Sequence, residues 1–423
     1  MRDPLDLLAE FAGVALDDVA AVEPDVELDP EPTPDDPEPD PVLEDAPTEV
    51  VIEAATGRVR QAGADAGPEG QWIAEFRRRA ETSLFVFAKG VLGRAYLSAD
   101  LHRWVCGWLQ RCPPNRKLLL LPREHAKTTI VSHALPLHVL IQPAASNLYF
   151  PTERGVDQRI ILACETESRA KDHIRVIEAA FETNRLLRAL WPYVCWDVPR
   201  RDAKKWNDRE LIVPRETEYP DPSIRAIGVD GAITGAHPTV LLKDDLISVE
   251  AANSPIVMQT AIDWHIASRA LINDPKALEF IIGTRWAVSD LYEHIERTDP
   301  TVEIVSRAVV EDGRVIYPEK FALTRTAGRA SVEDLQKQFG VLFPLLYMNS
   351  ATDPELTDFD PAALRLFEIA DEMIRFAEDE RDATLSERLT APAPKPIVPV
   401  GRPLREALEA LTGRDVYLRA KYG

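Results

Sequence analysis

The chain has 423 residues, 45% hydrophobic and 28% charged, with four cysteines and a net charge of −21. That length holds about two domains and a sizeable core. No apolar run nears the roughly 18 residues of a membrane span, and the acidic start MRDPLDLLAE lacks the basic and apolar regions of a secretion signal.

The charge is concentrated at one end. Residues 1–50 carry 17 acidic and one basic side chain, whereas the rest carries 53 acidic and 48 basic. A near-neutral body can still offer a basic channel to a polyanion. Residues 23–50 hold twelve acids and eight prolines. Charge repulsion and proline predict an acidic, disordered tail over 1–66, with one short stretch of helical spacing, DLLAEFAGVALDDVAAV. Cys106, Cys112, Cys164 and Cys195 form no CxxC pair, which suggests a reduced intracellular protein without structural zinc.

A helical lead-in follows over 67–112. WIAEFRRRAETSLFVFAKGVLG and SADLHRWVCGWLQRC have helical spacing, and Ser98 is placed to cap the second. From 113 to 310 the pattern changes. The apolar runs KLLLLP, RIILACET, ELIVP, SIRAIG, TVLLKDD, ALEFIIGT and VEIVSRAVV alternate with segments of helical character. This predicts an α/β fold with a mainly parallel sheet flanked by helices. Helical and loop signals prevail over 311–380, which reads as a lid and C-terminal helical subdomain. Residues 381–423 read as a proline-rich linker, APAPKPIVPVGRP, and a terminal helix, PLREALEALTG.

Three strand ends carry chemistry. The first is LLLLPREHAKTTIV, 118–131. A phosphate loop has the pattern GxxxxGK followed by Ser or Thr; here Leu121 and Ala126 stand where the glycines belong. The chemistry needs backbone N–H groups aimed at phosphate, a lysine for the β and γ phosphates, and a hydroxyl for magnesium. Lys127 and Thr128 can supply the last two, and Ala126 is small enough for close approach of the backbone. Pro136 should kink the helix after the loop. Read alone, the stretch could equally be a strand-turn-helix corner with a solvated lysine. The second strand end, TVLLKDD, closes in Asp244 and Asp245. The third, ALEFIIGTRW, closes in Gly283, Thr284, Arg285 and Trp286. Ligands of open α/β sheets bind at the carboxyl ends of strands.

Together these residues resemble the ATPase domain of the large terminase subunit of tailed bacteriophages, over roughly 100–350. Members carry a loop of the form Pro-Arg-Gly-His-Gly-Lys. Here it is Pro122, Arg123, Glu124, His125, Ala126, Lys127, Thr128 and Thr129, so Glu124 and Ala126 replace two glycines. GVDGAITGAHPTVLLKDDLIS, the GTRW segment with Asp290-Leu291, PEKF at 318–321, and Leu346-Tyr347 with Asn349 resemble further motifs of that family. The resemblance implies an additional-strand P-loop ATPase using ATP and Mg2+. The loop residues 122–129 would bind the nucleotide, and Thr128 and Asp244 the magnesium. Asp245 would orient the attacking water, although the family usually has Glu there. Thr284 would couple phosphate loss to movement, Arg123 would sense phosphate in cis, and Arg225 is a candidate for an arginine finger supplied by a neighbouring subunit.

The same resemblance implies double-stranded DNA, a portal protein and a small terminase subunit as partners. It also implies a homo-oligomeric ring, and a location in the host cytoplasm, transiently on the procapsid portal and not in the mature virion. No membrane association is expected. The roughly 70 residues after the YMN segment are too few for the usual nuclease domain, which leaves two readings: a separate nuclease polypeptide cuts the DNA, or the chain is a fragment of a split gene. Two alternatives stay open: another P-loop translocase or helicase, and a non-hydrolysing scaffold.

Overall fold

A computed structural model of the chain describes residues 68–350, except Asp230, 232–234, Asn273 and Val288, together with three short strands beyond them. The acidic tail and the expected final helix lie outside the described residues. Two compact units divide at 351/352.

The first unit is built on a seven-stranded sheet. Its strands are β1 (Arg116–Leu120), β2 (Ile160–Cys164), β3 (Glu210–Leu211), β4 (Ile224–Gly228), β5 (Val240–Asp244), β6 (Leu278–Gly283) and β7 (Glu303–Ser306). They lie in the order β3-β4-β2-β5-β6-β1-β7, all parallel except β3, which runs antiparallel to β4. Each strand matches an apolar run legible in the sequence. β6 lies between β1 and β5, so an additional strand separates the lysine-bearing loop from the acidic strand end. Register aligns Leu120 with Gly283, and Asp244 with both Ile282 and Cys164. The three chemistry-bearing strand ends therefore open onto one edge of the sheet.

The two-residue repeat of strands sends alternate side chains to opposite faces. Leu119, Leu162, Leu242 and Phe280 enter one core cluster, while Leu118, Leu120, Ile161, Leu241 and Ile281 enter the other. The first cluster is covered by α1 (Pro68–Thr82), α2 (Ala99–Gln110), α3 (Leu135–Leu140) and α4 (Glu167–Thr183). Ser98 caps α2 as expected, accepting from the Leu101 N–H. The second cluster is covered by α5 (Pro255–Ser268) and α6 (Leu291–Thr298).

The expected kink at Pro136 takes a definite form. A π-helical turn, Thr129–Ala134, precedes α3, and the Leu135 N–H donates to Ile130 O, five residues back. Proline has no N–H for the α-helical ladder, and its ring crowds the carbonyl four residues earlier. A wider turn ahead of it removes that conflict.

Residues 310–350 are not purely helical. A hairpin, β8 (Val310–Glu311) with β9 (Arg314–Val315), and a pair, β10 (Phe321–Ala322) with β11 (Ala330–Ser331), precede α7 (Val332–Phe339) and α8 (Phe343–Met348). In the second unit β12 (Phe367–Ala370), β13 (Met373–Phe376) and β14 (Val398–Pro399) form an antiparallel sheet. The reading of 311–380 as helical is corrected on these strands. Phe367 to Phe376 holds two short apolar runs around Asp371-Glu372, a hairpin pattern that the helical reading overlooked.

Candidate active site

The loop between β1 and the π turn supplies the first part of the site. Glu124 (φ 65°) and Ala126 (φ 57°) both have left-handed backbone. These are the two positions where the resembled motif carries glycine. The chain therefore keeps the glycine conformation without the glycine residue. The Arg123 N–H donates to Leu346 O (3.0 Å), and the Arg123 guanidinium lies over the Trp286 ring (5.2 Å). Glu124 pairs with Lys320 at 2.9 Å. Thr129 shares a 3.0 Å hydrogen bond with the Tyr96 hydroxyl.

His125 departs from its expected role. Its ring is buried and stacks on Phe321 (4.7 Å, 13° between planes), with Nδ1 2.9 Å from Arg123 O. Burial drives its pKa down to about 4. The imidazole anchors the loop to β10, and only its backbone remains available to a ligand. Pro122 is likewise buried.

Lys127 reaches across to the other two strand ends. Its ammonium donates to Thr284 Oγ1 (2.6 Å) and stands 3.7 Å from Asp245 Oδ1. Thr128 donates to Asp244 Oδ1 at 3.3 Å, and Ser132 donates to Asp244 Oδ2 at 2.5 Å. Asp244 is buried. Loss of water, then the neighbouring Asp245 charge, push its carboxyl up to about 7, against the pull of Ser132, Lys127 and Thr128. Asp245 sits just past the strand end with φ 44°, and its N–H donates to Ile282 O at 3.0 Å. Its Oδ1 is buried with no hydrogen-bond partner among the described residues.

Gly283 is required where β6 ends. A Cβ there would lie 2.0 Å from Cζ of the buried Tyr292. Asp290 organises the turn beyond β6. As N-cap of α6 it accepts from the Tyr292 and Glu293 N–H groups, and it also accepts from Arg285 Nε (3.0 Å) and Trp286 N (3.1 Å). Arg285 thus serves structure, and the turn it fixes presents Thr284. Asn349, left-handed at φ 47°, donates to Arg307 O (2.9 Å) and ties α8 to the residue just past β7.

Lys127, Thr128, Asp244, Asp245 and Thr284 therefore converge, with Arg123 at their margin. Arg225 does not. It is the second residue of β4, near the edge opposite the loops, and its guanidinium pairs with Glu210 (2.9 Å) and Asp221 (3.6 Å). Sequence reasoning missed Ser132, which stands four residues after Thr128 on the same helical side. It also missed His173, 3.5 Å from Asp244 Oδ2, and Ser248, which donates to Glu165 beside Asp245.

The donor set fits a magnesium-nucleotide. An unpartnered carboxylate oxygen faces an ammonium, and a hydroxyl and a buried carboxylate lie beside the loop. Magnesium takes one or two carboxylate or hydroxyl ligands and completes its shell from phosphate and water. Among the described residues no cluster of three or more His, Cys, Asp or Glu side chains could hold a metal by itself. No described helix is long and apolar enough to cross a membrane.

No family model matches the sequence, and no curated protein does. Among solved structures, the chain is similar to the HK97 bacteriophage large terminase, with 15% identity, covering 56% of this chain and 47% of that one, at a TM-score of 0.36. It thus spans about half that protein's length. It is also similar to the large terminase ATPase domain of Thermus phage P74-26, with 15% identity over 57% of this chain and 90% of that one (TM-score 0.35). A mutant of the same domain gives 14% identity over 56% and 89% (TM-score 0.34). By strand order, the chain is an α/β fold with a mainly parallel sheet in which one further strand, β6, lies between the strand that leads into the lysine loop and the strand that ends in the acid pair.

Proposed function

We propose that this chain is the ATP-hydrolysing motor subunit that moves double-stranded viral DNA into a procapsid. The observation that carries the reading is the meeting of Lys127, Thr128, Asp244, Asp245 and Thr284 at three adjacent strand ends, beside a loop that keeps left-handed backbone at Glu124 and Ala126. The motif resemblance supplies the direction from nucleotide hydrolysis to DNA packaging.

In this reading Lys127 binds the β and γ phosphates, and Thr128 and Asp244 hold the magnesium. The ion, when bound, neutralises phosphate charge and orients the terminal phosphoryl group. Asp245 accepts a hydrogen bond from the attacking water and aligns it. Thr284, released from Lys127 when phosphate takes its place, passes the change to the Arg285-Trp286 turn. Arg123, stacked on Trp286, links that turn back to the loop. Asp244 would hold the ion in its ionised form. DNA contacts are to phosphates, since a packaging motor must ignore sequence. The partners are the portal, a small terminase subunit and further copies in a ring, acting in the host cytoplasm.

Steady-state ATP turnover with and without double-stranded DNA tests this, for the native chain and Lys127→Ala. Turnover that DNA stimulates and the substitution abolishes is the expected result. Turnover without any response to DNA, portal or small subunit would point to a different P-loop enzyme. No turnover in either protein under all those conditions would leave the scaffold.

A further inference from the structure

A groove of about 420 Å³ lies between α4, α3 and the residues just after a second π-helical turn, Phe87–Val91. That volume is in the range of sites that hold a ligand. Leu92, Leu137, Val176 and Ala180 give it apolar lining, and Arg94 and Arg175 give it positive charge. Among the described residues no Asp or Glu lines it. The two cations differ in what holds them. Arg175 is paired with Asp172 and Asp208. Arg94 Nε is buried and has no hydrogen-bond partner among the described residues. A buried donor left unpaired is costly, and a carboxylate is the partner that suits a guanidinium best. The groove therefore fits an occupant with an apolar body and an acidic group.

The chain carries such a segment. Residues 6–22, DLLAEFAGVALDDVAAV, hold four acids and no base. Placed on a helix, Leu8, Phe11, Ala15 and Val19 share one face, the anchor pattern of a helix laid into an apolar groove. Covalent attachment brings the segment close. Phe76 of α1 packs against Gly90, where a Cβ would lie 3.1 Å from Phe76 Cζ, and Gly90 precedes Leu92 on the groove by two residues. Pro68, the first residue of α1, is about 12 Å along the helix from Phe76. Residues 23–67 join Pro68 to the segment, and at about 3 Å per residue in proline-rich chain they reach far beyond that distance. An attached occupant docks in an intramolecular step, so few contacts suffice.

We infer that residues 6–22 dock in this groove of their own chain, with the apolar face on Leu92, Leu137 and Val176 and an acid on Arg94. Docking also sets the segment against His133, which lines the groove and follows Ser132 in the π turn. The contact thereby joins the acidic part of the chain to the helix that leaves the lysine loop. It is independent of ATP hydrolysis, so the motor reading can fail while this contact holds.

The test is photo-crosslinking in the full chain, with a benzophenone amino acid at Thr183, an exposed residue of the groove. After irradiation, crosslinked peptides are mapped by mass spectrometry over a range of protein concentrations. The expected result is crosslinks to residues 6–22 within one chain, at a yield that does not change with concentration. Arg94→Glu should lower that yield about tenfold, the loss of one charge-assisted hydrogen bond, and Arg94→Lys should keep most of it. Leu8→Asp with Phe11→Asp should lower it at least as much, and this pair tests the contact even where Arg94→Glu fails to fold. Crosslinks that all miss residues 6–22, or no crosslinks at all, overturn the inference. So does a yield unmoved by either change in folded protein, which marks random encounter of a tethered segment. Crosslinks that join two chains and rise with concentration also overturn it, and give the groove to a second copy.

Discussion

Ala126 tests whether the loop is built as described. Its φ is +57°, in the left-handed region, and Glu124 beside it is at +65°. An L-residue there costs about 1–2 kcal/mol through the clash of Cβ with the carbonyl. Glycine avoids that clash but loses about 0.5–1 kcal/mol more chain entropy on folding. Ala126→Gly should therefore stabilise the protein by about 0.5–1 kcal/mol, the opposite of the usual sign. For a domain of this size each kcal/mol moves Tm by about 2–4 °C, so the expected rise is about 1–4 °C. Glu124→Gly relieves the same strain but gives up the exposed ion pair to Lys320, which contributes at most about 1 kcal/mol, so its net effect should be near zero. The control is Ala179→Gly, at an exposed site in α4, which should cost about 1 kcal/mol. Scanning calorimetry of the three variants decides the matter. If Ala126→Gly lowers Tm as Ala179→Gly does, the loop is not left-handed there and does not mimic a glycine loop.

The packing and the charges set three further outcomes. Gly283→Ala should cost about 1–3 kcal/mol by overpacking, because its Cβ would strike the buried Tyr292 ring; in a Tyr292→Leu background most of that cost should vanish, and an unchanged cost in a double-mutant denaturation cycle would refute the clash. Glu279→Ala strips the fully buried Lys243 of its carboxylate partner, leaving it against His265 Nδ1 at 3.0 Å, and should cost about 3–5 kcal/mol by urea unfolding; a loss below about 1 kcal/mol would show that the ammonium escapes to water. Asp244 provides the pH test. Its folded pKa, about 7, lies above the ordinary carboxylate value because of burial first and Asp245 second. A raised carboxyl pKa means that the folded state holds a proton the unfolded state gives up, so this group's stability penalty is absent at low pH and grows as pH rises toward 7. The Tm advantage of Asp244→Asn over the nucleotide-free wild type should therefore be larger at about pH 8 than at about pH 5; the same advantage at both would refute the assignment.

What the sequence revealed and what it hid have physical causes. The strands were legible because buried parallel strands are continuous apolar runs, and the site was legible because three of those runs stop in a lysine loop, an acid pair and Gly-Thr. The distance of Arg225 from those strand ends was legible on the same ground. Arg225 is the second residue of its strand, and in a parallel sheet the beginnings of strands lie at the edge away from the loops. The burial of His125 was not legible. What turns its ring inward is Phe321, nearly two hundred residues on, and no local pattern reports that contact. His173 was hidden likewise, since only the packing of α4 against the π turn brings it to Asp244. The missing glycines are the instructive case. Sequence scores a loop by residue type, whereas phosphate recognition depends on backbone direction. Glu124 and Ala126 adopt that direction because the loop is pinned at three places: Arg123 to α8, His125 to Phe321 and Glu124 to Lys320. Tertiary contacts here supply the conformation that glycine would otherwise supply by permissiveness. A strand-to-helix loop can therefore hold left-handed backbone at two positions without glycine, provided the surrounding structure holds the backbone.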